Sequence, residues 1–120
     1  MDAHYRMLVE KDKIIEVINR LFISTDNRDW PEVKKCFSST VLFDMTSLAG
    51  GQPVTLTSQE IVVAWDQGLK ALKSIHHQAG NYMVSINQSE AKAFCYGIAS
   101  HYLPNKTNQT FFMVSSKPLR

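Results

Sequence analysis

A chain of 120 residues, 44% apolar and 20% charged, has the size and composition of one domain with its own core and excludes a disordered polymer. Its formal net charge of +2, with Lys and Arg dispersed, gives no basis for a nucleic-acid or anionic-membrane partner, and no apolar run reaches membrane-spanning length. Cys36 and Cys95 form neither a Cys-x-x-Cys pair nor a disulfide framework; with a polar start at Met1–Arg6 they read as buried thiols of a cytoplasmic protein.

The first element is an amphipathic helix from about Met7 to Thr25. Ile14, Ile18, Leu21, Phe22 and Thr25 share one face, and Lys11, Lys13, Glu16 and Arg20 fill the other. Asp26-Asn27-Arg28-Asp29 is rich in turn formers. Asp29 then suits an N-cap, with Pro31 in the first turn and Glu32 three residues on, opening a short helix to about Phe37. Val41 to Thr46 is β-prone, Ala49 to Pro53 is a loop, and Val54-Thr55-Leu56 can pair briefly. A second capping signature, Thr57 with Glu60, opens a third helix that carries Ile61, Trp65, Leu69 and Leu72 on one stripe and ends near Ser74.

From there the apolar period is two. Tyr82, Val84 and Ile86 alternate with polar residues, Gln88-Ser89-Glu90 is a turn, and Ala91 to Leu103 is a long strand. One side of that strand carries Phe94, Tyr96, Ile98, Ser100 and Tyr102; the other carries Ala93, Cys95, Gly97, Ala99 and His101. Pro104 to Gln109 is a polar loop. A third strand starts at Thr110 and is expected to stop near Ser115-Ser116, because Pro118 cannot donate to a ladder.

Helices followed by antiparallel hairpins give an α+β domain whose helices cover one sheet face. Gly97 permits a curved sheet, and a helix across a concave sheet encloses a pocket. The apolar stripes predict a lining of Phe22, Leu42, Trp65, Tyr96 and Ile98, with Trp30 at the mouth. The flat face of Ala93, Cys95, Gly97 and Ala99 is then left for a second copy of the chain.

The segments "EVINRLFISTDNRDWPEVKKCF", "VLFDMTS", "IVVAWDQGL", "HHQAGNYMVSI" and "AKAFCYGIASHYLP" resemble, in this order, the SnoaL-like branch of the nuclear transport factor 2-like superfamily. The resemblance covers about Ile14 to Val114 of a single domain taken as residues 1–120. It implies a cystatin-like, cone-shaped α+β barrel, a homodimer through the sheet, and relatives that are polyketide cyclases, dehydratases, isomerases and epoxide hydrolases. It also implies that the last strand or strands of such relatives are missing here. In catalytic relatives a carboxylate near the end of the first helix faces a histidine at the start of a strand. Asp26 and His77 match those positions, with His76 the alternative one residue away. His101 and Asn81 fall where relatives place pocket residues.

A buried carboxylate holds an imidazole in one tautomer and supports its charged form when it takes a proton, so Asp26 and His77 suit proton transfer beside a carbonyl. The alternative is that Asp26 ends its helix and His77 faces solvent. No metal site is expected, since adjacent histidines on a strand point to opposite faces, and no cofactor is implied. Tyr82, Tyr96 or Tyr102 could offer one hydroxyl to a ligand, whereas Asp44 reads as an outward residue. Two functions follow: a cofactor-independent dehydratase, isomerase or cyclase acting on a small apolar cyclic carbonyl compound, or a non-catalytic ligand-binding or dimerisation module of the same fold.

Overall fold

The computed structural model describes residues 2–103 and the backbone of 110–119; the loop expected at Pro104 to Gln109 lies outside the described residues. Asp2 starts the first helix, α1 (Ala3–Asp26), by accepting a hydrogen bond from the Tyr5 N–H at 2.8 Å. The helix therefore begins one turn earlier than its apolar stripe indicates. At its other end the Asp29 N–H donates to the Ser24 carbonyl and the Arg28 N–H to that of Thr25, at 2.9 and 3.0 Å. This is the Schellman pattern, with Arg28 at the left-handed position (φ 55°).

Asp29 also caps α2 (Trp30–Lys35) through the Glu32 N–H. Next come β1 (Thr40–Phe43), a single turn α3 (Thr46–Ala49), and β2 (Val54–Thr57). β1 and β2 pair antiparallel from Thr40↔Thr57 to Phe43↔Val54. Asp44 is exposed, and its carboxylate accepts from the N–H and hydroxyl of Thr46. The reciprocal Thr57–Glu60 capping box opens α4 (Ser58–Leu69). That helix stops at Leu69, short of the expected Ser74, which is the first residue of β3 (Ser74–Asn87).

β3, β4 (Glu90–Tyr102) and β5 (Thr110–Leu119) form an antiparallel ladder in that order. Between Gly80↔Tyr96 and Met83↔Phe94 the register shifts by one residue. Asn81 and Tyr82 thus oppose Cys95 alone, a bulge that bends the strand, with Asn81 left-handed at φ 56°. α1 packs across β3, and α2 packs between α1 and α4. Among the described residues two clusters form the core. Ile18 meets Ala93 and Cys95 under α1, and Leu21, Val33 and Val62 meet where the helices join.

The α+β architecture is the one the sequence predicts. Among the described residues the strands form two separate ladders rather than one closed barrel, and the helices close the concave side. Two expectations are corrected. The third strand of the ladder does not stop at Ser115: it pairs with β4 along ten residues, from Tyr102↔Thr110 to Ala93↔Leu119, with Pro118 opposite Phe94. β5 lies at the end of the strand order, where a proline whose nitrogen faces away from the ladder costs no hydrogen bond. The two faces of β4 are also exchanged relative to expectation. Ala93 and Cys95 are 7% and 3% exposed beneath α1, whereas Tyr96 and Ile98 are 51% and 47% exposed on the outer face. Small side chains let the helix approach and leave space beside it. The Phe94–Tyr96 edge contact, 5.4 Å between centroids, faces outward, so the Ala93–Ala99 face is not a free surface for a second copy.

Candidate functional site

Beyond the Ile18–Cys95 contact, α1 and the sheet diverge and leave a cavity of about 410 Å³. α1 lends Phe22 and Thr25 to its wall, α4 lends Trp65 and Leu69, β1 lends Phe43, and Phe37 follows α2. The floor is the small-residue face of β4: Cys95, Gly97 and Ala99, ending at His101. Phe37 and Phe43 both meet the Trp65 indole, at 5.7 and 6.2 Å between centroids. Among the described residues neither Lys, Arg, Asp nor Glu lines the cavity. The polar groups that the described residues bring to it are His77, Gln78 and His101, plus the Thr25 hydroxyl, which already donates to the Leu21 carbonyl at 2.7 Å.

His77 holds the centre of one wall. β3 is the outer strand of its ladder, so N–H groups on that side have no strand partner among the described residues. The Asp26 carboxylate takes the one at His77: Oδ2 accepts the main-chain N–H at 3.0 Å, and Oδ1 lies 2.6 Å from Nδ1. Asp26 stands behind the imidazole rather than in the cavity wall, and the two side chains are 18% and 17% exposed. With Nδ1 occupied, Nε2 is the ring nitrogen left for a ligand. Phe22 stacks on the imidazole at 5.6 Å and 8° between planes, and His101 meets it edge-on at 5.9 Å. Burial, and then the neighbouring His77, push the His101 pKa below the usual histidine value, with Asp26 opposing. Its Nε2 is buried with no hydrogen-bond partner among the described residues. The Cys95 thiol is pushed up by burial, which leaves it a weak nucleophile.

Of the residues the sequence singles out, Asp26 and His77 are in contact, and Phe22, Trp65, Ile98 and His101 border the cavity. Ile98 does so from a half-exposed position. Leu42, Tyr96, Asn81, Trp30, His76, Tyr82 and Tyr102 do not line it. Leu42 points outward at 64% exposure while its neighbour Phe43 faces in. Tyr96 lies on the outer sheet face. Asn81 is exposed at the bulge. Trp30 packs on the helix-junction core and donates its indole N–H to Asp66 Oδ1 at 3.1 Å. His76 is on the opposite face of β3 from His77, with its side chain 64% exposed and Nδ1 3.9 Å from Asp26 Oδ2. Tyr82 donates its hydroxyl to Asn19 instead of the cavity. Sequence reasoning missed Thr25, Phe37, Phe43 and the small residues of the floor. The one available signal was the run of small residues on β4, which marks a face that something covers closely. Among the described residues no three His, Cys, Asp or Glu side chains converge as metal ligands, and no helix is long and apolar enough to cross a membrane.

A curved antiparallel sheet, a long helix across it and a histidine held by that helix's last carboxylate define a cone-type α+β pocket protein. The chain belongs to the SnoaL-like domain family, whose sequence profile matches residues 6–116. Among solved structures it is similar to the Kfla4162 protein from Kribbella flavida, with a TM-score of 0.87, 19% identity, and 93% of this chain and 79% of that one covered. It is also similar to a candidate dehydratase of the NTF2-like family from Streptomyces avermitilis, at TM-score 0.55 and 11% identity over 88% and 81% of the two chains. AusH from Aspergillus nidulans follows at 0.51 and 14%, over 87% and 84%. At these identities the likeness is one of fold. No curated protein matches the sequence significantly.

Proposed function

We propose that the protein is a cofactor-independent acid–base enzyme, of dehydratase or isomerase type, acting on a small, uncharged, cyclic carbonyl compound. The observation that carries this reading is the Asp26–His77 pair at the wall of an apolar cavity. Asp26 fixes the tautomer with the proton on Nδ1, so the Nε2 lone pair is the base. Nε2 takes the proton from the carbon beside the carbonyl, giving an enolate and an imidazolium that the carboxylate stabilises. The imidazolium then returns the proton, either to a β-hydroxyl leaving as water or to another carbon of the conjugated system. A dehydration yields the enone and water; an isomerisation moves the double bond. General acid–base help of this kind contributes about 10²–10⁴-fold. The apolar lining contributed by Phe22, Phe37, Phe43, Trp65 and Leu69 suits an apolar molecule, and a cavity of about 410 Å³ suits one of a few fused rings. The dehydratase naming of the Streptomyces avermitilis fold neighbour agrees with this class.

The test is turnover of a panel of cyclic β-hydroxyketones, followed by the rise of enone absorbance, with His77→Gln and Asp26→Asn beside the parent chain. Turnover that both variants abolish supports the reading. Saturable binding of these ketones without turnover, or turnover that His77→Gln leaves unchanged, overturns it, and the first result would assign a non-catalytic binding module. Self-association through the sheet remains part of the proposal. The face that suits it is the outer one, where Met83, Tyr96 and Ile98 are 71%, 51% and 47% exposed.

A further inference from the structure

Arg28 ends two helices at once. Its backbone occupies the left-handed position that closes α1, at φ 55°, where glycine is the usual residue because a Cβ there crowds the following carbonyl. Its side chain turns across to the end of α4, where one terminal guanidinium nitrogen donates to the carbonyls of Leu69 and Leu72, at 3.2 and 2.6 Å. The Leu69 carbonyl also accepts from the Leu72 N–H at 3.1 Å, and Leu72 lies three residues past the helix, so the guanidinium bridges the last residue of α4 and the connection that follows it, at the negative end of the helix dipole. Arg28 Nε is buried with no hydrogen-bond partner among the described residues, so the side chain is held by those two carbonyls and by packing. Strain at a non-glycine residue persists where the surroundings over-determine it.

The position of this tie matters more than its strength. On one side it is two residues from Asp26. On the other it holds Leu69, which lines the cavity, and Leu72, which leads into β3 five residues before His77. The Lys73 N–H donates to the Tyr102 carbonyl at 2.8 Å, fixing the same connection to β4 next to His101. The tie therefore joins the segment that carries the carboxylate to the segment that carries the imidazole. We propose that Arg28 is a positioning residue for the Asp26–His77 pair, setting the distance between the last turn of α1 and the start of β3. This rests on the acid–base reading of the pair, in which a displacement of about 1 Å can cost on the order of 10²-fold in rate.

The substitution Arg28→Gly separates the two roles of the residue, because it relieves the backbone while removing the guanidinium. It is to be compared with Arg28→Lys, Arg28→Asn and Asp26→Asn by NMR of the His77 Nδ1–H proton and by urea unfolding. In the parent chain that proton is expected downfield and slow to exchange, and Asp26→Asn should abolish the signal. Failure of that control overturns the dyad itself, separately from Arg28. With the control met, Arg28→Gly is expected to keep or raise the urea midpoint yet speed exchange of the His77 proton at least tenfold and move it upfield. Arg28→Lys should restore most of both, and Arg28→Asn, which tolerates the left-handed backbone, should repeat the glycine result should Arg28→Gly not fold. An unchanged shift and exchange rate in the variants without a cation overturns the proposal and leaves Arg28 a helix cap alone.

Discussion

Replacing Asp26 by Asn changes one atom of the side chain and should invert the chemistry of His77. The carboxylate makes two contacts, to the His77 N–H at 3.0 Å and to Nδ1 at 2.6 Å. An amide can keep only one of them in kind. Its oxygen still accepts from the main-chain N–H, but its NH2 then faces Nδ1. Two donors cannot share that contact, so the imidazole must move its proton to Nε2 and accept through Nδ1. The ring nitrogen left for a ligand becomes a donor, and the base is lost. The expected cost in turnover is the whole acid–base contribution, about 10²–10⁴-fold. For stability, one charge-assisted bond worth about 1.5–3 kcal/mol becomes a neutral one worth about 0.5–1.5 kcal/mol, a net loss of about 1–1.5 kcal/mol. Asp26→Ala loses both contacts and strands a half-buried N–H, which raises the loss to about 2–4 kcal/mol. Nitrogen-detected NMR of the histidine side chains reads the tautomer directly, with no substrate, and urea unfolding reads the stabilities. A His77 proton on Nε2 in the parent chain, one still on Nδ1 in Asp26→Asn, or equal urea midpoints for the two variants would refute this role of Asp26.

Burial holds His101 neutral in the folded chain, with its pKa below the unfolded value. The unfolded state therefore binds more protons in the window between the two values, and stability should fall as pH drops below the ordinary histidine range, then level off beneath the folded pKa; urea midpoints that slope less in His101→Asn than in the parent chain would bear this out. Ile61 is 1% exposed at the root of α4, so Ile61→Ala should cost about 2–5 kcal/mol in chemical unfolding while leaving the His77 tautomer as it is. Tyr96→Lys places a charge on the outer sheet face without touching the cavity. It should shift sedimentation from dimer toward monomer, whereas Cys95→Ser, on the opposite face, should not; a parent chain that is monomeric at micromolar concentration removes that face as an interface.

Local chemistry in the chain specifies a good deal of this protein. The Thr57–Glu60 pair dictates where α4 begins, because a capping box satisfies its own N–H groups whatever the surroundings, and Asp29 does the same for α2. The change from a period near four to a period of two marks the passage from helices to sheet, and Asp26 at the end of the first helical stripe with His77 in the first long strand was legible as a pair from family resemblance. Tertiary structure alone decided which face of β4 turns inward. Alternation divides Ala93, Cys95, Gly97 and Ala99 from Phe94, Tyr96 and Ile98, but it has no sign. The sign is supplied by α1, which can approach only over the small residues and so turns the aromatic side out. The same limit explains Leu42 and Phe43, and His76 and His77: a one-residue choice of face depends on a partner distant in the chain. Arg28 shows that dependence at a single residue. Nothing in Asp26-Asn27-Arg28-Asp29 announces that its third residue will take a glycine's conformation, because the reason lies 41 and 44 residues away, in one carbonyl at the end of another helix and one just beyond it.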